Sequence, residues 1–491
     1  MNLLAGLLLI SHLYTAHYEN VLGTSLDLKV AAVSGQASDQ AERAVLNEID
    51  RLAKILSAYD PNSEFSRWMR TRNTAVPVSP ELYTVLGLFD VWRLRTSGAL
   101  DASAEVITRV WKKAAARGSL PTESELDSAI GQVRQRHWTL DPGTRTATHL
   151  SDAPLMLNSF AKSYIIRHAA EAALATAGVS GIVVNIGGDL VVAGEWREPV
   201  WVSDPRADAE NDQPVCRLAI SDRAIATSGN YRRGELIAGH WYSHIVDPRT
   251  GQPADDILSA TVVAPDATDA GALATAFNVL TPEESRQLAA TLPGVDYLIL
   301  TRDGRRFESA GWKALETSGG GSGRAKSDGR SADARSDVRT PAPGNFELLV
   351  DLEINLQKGF SKRPYVAVWV EDENHAPVRT IAIWHGSDRY LPELKSWYLK
   401  YRGLYTEDKN FNASITSATR SAGKYTVKWD GLDDHGNPVK PGKYVIKIEA
   451  SREHGTYQLM RQEIDCDDMP KKIDLNGNAE IASASLDYRK K

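Results

Sequence analysis

One stretch of sequence divides this chain. Residues 317–343 read TSGGGSGRAKSDGRSADARSDVRTPAP, dominated by glycine, serine, aspartate, arginine and proline, with almost no large apolar side chains. Such a segment cannot bury enough apolar surface to offset the entropy of ordering it. It predicts a flexible tether with a separate folding unit on each side. The length of 491 residues leaves room for both.

The two flanks differ in periodicity. In the first, Val45, Ile49, Leu52 and Leu56 recur at the spacing of an amphipathic helix. Ser79-Pro80 opens a second helix, serine as N-cap and proline at the first helical position, ending near Gly98. A third helix is expected over about 159–177, closed by Gly178. Thr281-Pro282-Glu283-Glu284 is a capping box that opens a fourth. Strand-like runs lie at 182–186, 200–203, 241–246 and 261–264, and Asp303-Gly304 marks a hairpin turn. Strands and helices do not alternate regularly, so an α+β fold is predicted for this half. After the tether, short alternating runs such as 346–354, 365–370 and 443–450 predict an all-β, Ig-like sandwich. Residues 391–403 are the one helical candidate there.

Composition narrows the function. With 42% hydrophobic and 24% charged residues, the chain is neither globally disordered nor a polytopic membrane protein. A net charge of -6 argues against a nucleic-acid partner. Two cysteines, Cys216 and Cys466, supply neither a disulfide framework nor a Cys-rich zinc site. Residues 3–13, LLAGLLLISHL, have the length of a signal-peptide core and are followed by the small residues Thr15 and Ala16. A bilayer span takes about 20 residues, so this run is too short for one. Residues 1–16 are therefore expected to be a signal peptide and the protein to be exported. The competing reading is a first strand.

Four polar clusters in the first half carry the chemistry. Residues 57–67, SAYDPNSEFSR, combine a turn signal at Asp60-Pro61-Asn62 with a capping serine. Asn185, Gly187, Gly188 and Asp189 follow a strand, where paired glycines let backbone approach a ligand or simply make a tight turn. Thr227, Ser228 and Gly229, before Asn230 and Tyr231, offer hydroxyls and amides suited to phosphate oxygens, or form a plain loop. Residues 244–251, HIVDPRTG, place His244 three residues before Asp247, and the Asp-Pro turn can bring the two together. A histidine beside a carboxylate is a candidate general base. His240 and His244 share a strand face, but a metal pair there lacks a third ligand.

Seven segments in order, SAYDPNSEFSR, GALDASAEV, FAKSY, VVNIGGDL, AIATSGNY, HIVDPRTG and ATAFNVL, resemble the ApbE family of FAD:protein FMN transferases over about residues 18–315. The resemblance implies an exported bacterial enzyme that binds FAD and Mg²⁺. It would move FMN from FAD onto a Thr or Ser hydroxyl of an acceptor flavoprotein, with release of AMP. His244 then matches the catalytic base, supported by Asp247. Tyr59, Ser63, Glu64, Lys162, Asn185, Gly187, Gly188, Asp189, Thr227, Ser228 and Gly229 match the flavin-binding segments. Thr275 and the carbonyl of Ser159 match metal ligands. Two positions depart from the family pattern: Gly271 stands where the metal-binding aspartate is expected, and Ser163 and Arg167 replace a glycine and an aspartate. Asp269 is the nearest substitute carboxylate, provided the backbone shifts. A flavin-binding pseudoenzyme or carrier is the alternative. Residues 344–491 resemble uncharacterised predicted periplasmic domains and the Ig-like fold of flagellar hook-cap proteins. Asp430, Asp433 and Asp434 there read as a turn in preference to a calcium loop.

Overall fold

The computed structural model describes residues 11–230, 233–317, 346–355, 363–385, 388–407, 416–417, 419–420, 422–452, 456–467 and 469–490. The expected tether, apart from Thr317, and the first ten residues of the expected signal peptide lie outside them. Two compact units emerge, one of residues 1–16, 20–205 and 216–317, the other of 17–19, 206–215 and 318–491. The first unit ends at Thr317, and residues 206–215 group with the second unit.

In chain order the first unit contains β1 (His12–Val21), β2 (Thr24–Ala32), α1 (Gly35–Leu56), α2 (Glu64–Met69), β3 (Ala75–Pro77), α3 (Pro80–Arg95), α4 (Glu105–Arg117) and α5 (Glu123–Val133). Then come β4 (Trp138–Asp141), β5 (Thr146–His149), α6 (Ala161–Leu174), β6 (Val179–Ile186), β7 (Asp189–Gly194), β8 (Glu198–Val202), β9 (Cys216–Ile220) and β10 (Arg223–Gly229). The unit ends with β11 (Gly234–Ile237), β12 (His240–Ser243), β13 (Ile257–Ala264), α7 (Ala267–Phe277), α8 (Pro282–Ala290), β14 (Asp296–Thr301), β15 (Arg306–Glu308) and α9 (Trp312–Leu315). Strand β1 runs through Ala16, the expected cleavage position.

An eight-stranded sheet in the order β1-β2-β6-β7-β10-β13-β14-β15 organises this unit. Every residue of β13 is buried, as a central strand covered on both faces requires. Helices α6 and α7 lie against the sheet and against each other, and α1 packs on α6. The expected stripe of α1, Val45, Ile49, Leu52 and Leu56, is buried. Helix α3 starts at Ser79, whose side chain accepts from Leu82 N, and the capping box at Thr281 and Glu284 opens α8. Helix α6 is shorter than expected. Phe160 adopts φ -153 and offers no capping side chain, so Ser159 precedes the helix and Ala175 ends it.

Gly187 and Gly188 form the two-residue turn of the β6–β7 hairpin, with Ile186 paired to Asp189. Their φ values are +58 and +92, the left-handed pair that a type I′ turn needs. Asn185 Oδ1 accepts from Gly188 N at 3.1 Å and braces it. Thr227, Ser228 and Gly229 lie on β10, paired with Thr261, Ala260 and Ser259, so that cluster is a strand end where a loop was weighed. Tyr231 lies outside the described residues.

The second unit contains β16 (Phe346–Ile354), β17 (Tyr365–Asp372), β18 (Pro377–Trp384), α10 (Lys395–Glu407), β19 (Thr416–Ser417), β20 (Gly423–Trp429), β21 (Gly442–Ser451), β22 (Tyr457–Cys466), β23 (Lys471–Asn476) and β24 (Ile481–Lys490). Sheets ordered β20-β16-β24-β23 and β19-β18-β17-β21-β22 share one apolar core, which makes the expected sandwich. Helix α10 falls on the predicted candidate, with Leu394, Trp397 and Tyr401 packed on Tyr365, Ala367 and Trp369. The Glu449 carboxylate caps its start, accepting from Ser396 N at 2.8 Å and Trp397 N at 2.9 Å. Asp433 accepts from His435 N and Asn437 N, and Asp434 from Thr380 N, so the aspartates close a turn as expected.

The hairpin gives a graded test. Any side chain at Gly188 costs only the left-handed backbone, about 1–2 kcal/mol. At Gly187 a Cβ would also stand 2.7 Å from Thr24 Cγ2. Gly187→Ala should therefore lower the urea midpoint of this unit more than Gly188→Ala; equal losses would mean that Thr24 yields freely.

Candidate active site

Several of the predicted residues lie around the start of α6. Turn 57–67 is built from its own polar groups. Asp60 Oδ1 accepts from Asn62 N, and Ser63 Oγ donates to Ser57 O at 2.6 Å while accepting from Ser66 N at 2.9 Å. Ser63 is fully buried, so its hydroxyl serves as the N-cap of α2 and is not free for a cofactor. Glu64 Oε1 accepts from Ser79 N at 2.6 Å and ties α2 to the start of α3. Tyr59, in contrast, is 75% exposed, and its hydroxyl oxygen accepts from Asn158 Nδ2 at 2.6 Å. Of these three predicted flavin contacts, Tyr59 is the one that presents a side chain.

From the first turn of α6, Lys162 Nζ meets Asp189 Oδ2 at 2.8 Å. This ion pair binds the helix start to the Gly187-Gly188 hairpin. Helix α7 then joins α6 to β10. Thr275 Oγ1 donates to Ser159 O at 3.2 Å on one side. Directly after α7, Asn278 Nδ2 donates to Ser228 O at 3.0 Å and Ala274 O at 2.9 Å. Thr227 Oγ1 lies 2.9 Å from Thr261 Oγ1 on the neighbouring strand. Asn158 and Asn278 were missed as site residues; Asn278 lies inside the ATAFNVL segment and was the more legible of the two.

His244 follows the end of β12, outside any strand. Its Nδ1 lies 3.0 Å from Arg233 O, a contact that requires the proton on Nδ1 and leaves the lone pair on Nε2. Loss of hydration lowers its pKa below the ordinary histidine value, and the Arg233 and Lys112 cations push the same way. The ring is nonetheless partly open to solvent, and the bond to Arg233 O opposes the shift. A neutral imidazole with a free Nε2 is a proton acceptor.

Asp247 does not join it. Its carboxylate accepts from Arg249 N, Nε and Nη2 at 2.8–3.1 Å, which closes the Asp-Pro-Arg turn on itself. The expected support of His244 by Asp247 is thus replaced by the Arg233 carbonyl. Asp247 shapes the turn that follows the histidine. His240 stays on β12 with its ring against Tyr242, so the two histidines form no pair. Clefts of about 620 Å³ each flank this turn, one lined by Asp101, Arg134 and Arg249, the other by Asp247, Asn278 and Arg302. Neither is lined by Tyr59, Lys162 or Asp189.

The donor set does not fit a Mg²⁺ site held by the protein. Ser159 O and Thr275 Oγ1 do come together, but both are neutral, and Mg²⁺ is ordinarily held by one or two carboxylates plus phosphates. Asp269 does not supply the missing charge. It lies six residues before Thr275 on the same helix, about 9 Å along the axis and on another face. Burial and the neighbouring Asp266 raise its pKa, further weakening it as an anionic ligand. Among the described residues no group of three or more His, Cys, Asp or Glu could hold a metal ion.

Residues 22–299 match the model of the ApbE family, and residues 347–483 match a family described as "Predicted periplasmic protein (DUF2271)". The FAD:protein FMN transferase of Vibrio cholerae serotype O1 is 29% identical over 308 residues, 60% of this chain and 90% of the relative. The protein of the same name from Treponema pallidum is 28% identical over 316 residues, 60% of this chain and 86% of the relative. The crystal structure of the ApbE protein of Thermotoga maritima superposes with a TM-score of 0.55 at 26% identity, covering 62% of this chain and all of that one. With the family model spanning more than half of its length, the chain belongs to the ApbE family.

Proposed function

We propose that this protein is an FAD:protein FMN transferase. Its relatives of that name and the availability of His244 support the reading. The observation that carries it is the His244 ring, neutral and fixed through Nδ1, with Nε2 free.

The reaction is a phosphoryl transfer within a pyrophosphate. A Thr or Ser hydroxyl of an acceptor flavoprotein attacks the FMN-side phosphorus of FAD. The new P–O bond forms as the bond to the AMP oxygen breaks. His244 Nε2 takes the hydroxyl proton, and AMP leaves with the bridging oxygen. Lys162, paired with Asp189, stands at the start of α6, and the amides of that first turn, uncapped by any side chain, face an anion favourably. Tyr59 offers an exposed ring on which a flavin can stack. Asn185, Gly187, Gly188 and Asp189 present a close-approach hairpin, while Thr227, Ser228 and Gly229 add hydroxyls and backbone along β10. No step is assigned to Mg²⁺. The match of residues 347–483 supports a periplasmic location for the whole protein, and no helix among the described residues is long and apolar enough to cross a membrane.

A second reading is a flavin-binding module without turnover. Gly271 favours it, because the position one turn before Thr275 carries no carboxylate.

AMP release from FAD, in the presence of a flavoprotein acceptor domain, separates the two. Turnover supports the transferase; saturable FAD binding without AMP supports the module. For the transferase, His244→Ala should lower kcat by about 10²–10⁴-fold, the usual worth of a general base, with FAD affinity retained. A variant of unchanged kcat would remove His244 from the role.

The pH profile follows from the direction of the shift. His244 acts as a base only when neutral, and its pKa lies below the ordinary 6.5. Turnover should therefore hold as pH falls through 6.5 and decline only below that, by roughly tenfold per unit. An acid limb centred above 6.5 would contradict the environment described for the ring.

A further inference from the structure

Helices α6 and α7 meet along an antiparallel seam marked by three contacts. The carbonyl of Ser159, just before α6, accepts a hydrogen bond from the Thr275 hydroxyl. Ser163 stands against Gly271. Arg167 Nη1 reaches Asp266 Oδ2, the N-cap carboxylate of α7, at 2.5 Å. Each step of one turn up α6 is a step of about one turn down α7.

The middle contact is the informative one. A Cβ built on Gly271 would fall 2.3 Å from Ser163 Oγ, 3.0 Å from Ser163 Cβ and 3.5 Å from Phe160 Cα. Ser163 is 3% exposed and its side chain has little room to swing away. Position 271 is also one helical turn before Thr275, on the face that looks at Ser159. It is therefore the place on α7 from which a side chain would join Ser159 O and Thr275 Oγ1. Those two oxygens are 3.2 Å apart. Adjacent ligands of an octahedral ion with bonds of 2.0–2.1 Å lie about 2.9 Å apart, so the hydrogen-bonded pair is within a few tenths of an ångström of the spacing one small divalent cation needs.

We infer that Ser163 closes a divalent-cation subsite in this chain. Its hydroxymethyl group fills the volume that a carboxylate at position 271 would need, so positions 163 and 271 behave as a single matched pair. The native pair leaves two neutral oxygens and a weak subsite. Removing the serine side chain and adding an aspartate at 271 together creates a three-oxygen site; either change alone does not. The inference takes its location from the proposed transfer site, but not its energetics, which follow from the packing of α6 on α7.

The test uses the full chain without FAD or acceptor, with Mn²⁺ as the probe. By calorimetric titration S163G/G271D should bind Mn²⁺ at least tenfold more tightly than the native protein. G271D alone should melt several degrees lower and gain no affinity. If the double variant binds no more tightly than the native protein, or if G271D alone binds as tightly as the double, the inference fails. Gly271→Ala keeps the proposal testable should the aspartate variants not fold. Alanine favours a helix over glycine, so in open space this substitution raises the melting temperature. Here it should lower it, and in a Ser163→Gly background it should raise it. The same sign in both backgrounds would overturn the matched pair. None of these readouts depends on AMP release, so failure of the transferase reading leaves them intact.

Discussion

The burial of helix α7 is the constraint on which the site depends. Nine of its eleven residues are buried, and five of those are alanines. Small side chains let the helix approach α6, β10 and β13 at once. Because it touches all three, its polar residues become the cross-links of the site. Thr275 holds the segment before α6, Asn278 holds the end of β10, and Asp266 both caps the helix and receives Arg167. A larger helix would separate these elements and with them the motif segments, which are remote in sequence. Lys162 and Asp189 then extend the cross-linking to the β6–β7 hairpin.

The histidine is held by a different device. The strand β12 ends at Ser243, and the Asp247–Arg249 turn follows immediately. Asp247 is saturated by Arg249, whose own pKa is raised by that contact. A carboxylate so occupied adds little negative potential at the imidazole, which is one reason the ring stays neutral. Orientation comes from a backbone carbonyl, which fixes the tautomer and offsets only part of the pKa lowering that loss of hydration causes. The arrangement suits a base that must be unprotonated before it meets the hydroxyl.

Much of this was legible in the sequence, and the limits have physical causes. Capping signals at Ser79 and at Thr281 with Glu284 worked because one side chain decides a helix start. The stripe of α1 worked because burial on one face imposes a period, whereas β17 and β21 are buried on both faces over most of their length and were legible as apolar runs. Periodicity also found the segments of the site, since they interrupt it. It did not reveal what each side chain does there. Ser63 reads equally as a cap or a ligand until its two hydrogen bonds are seen. Asp247 reads as a partner of His244 until Arg249, two residues on, is found to hold it. Thr227–Gly229 reads as a loop because small polar residues dominate, yet pairing with the wholly buried β13 makes it a strand. Each of these was decided by a contact that local pattern does not encode.

The contact between Ser163 and Gly271 shows how far such a decision can reach. A glycine inside a helix costs about 1 kcal/mol relative to alanine, so Gly271 is unfavourable for α7 taken by itself. A serine in the first turn of α6 is close to neutral by propensity. Taken together they are a consistent solution, because Ser163 occupies the space beside Gly271 and the two helices pack closely there. The consequence is chemical. The seam is neutral over its middle contact, with its charges one turn away on Arg167 and Asp266. With an aspartate at position 271 the same backbone, with the same Ser159 and Thr275, would carry one more negative charge beside those two oxygens. Charge, more than shape, separates a site that holds its own cation from one that must await phosphate oxygens to help bind it.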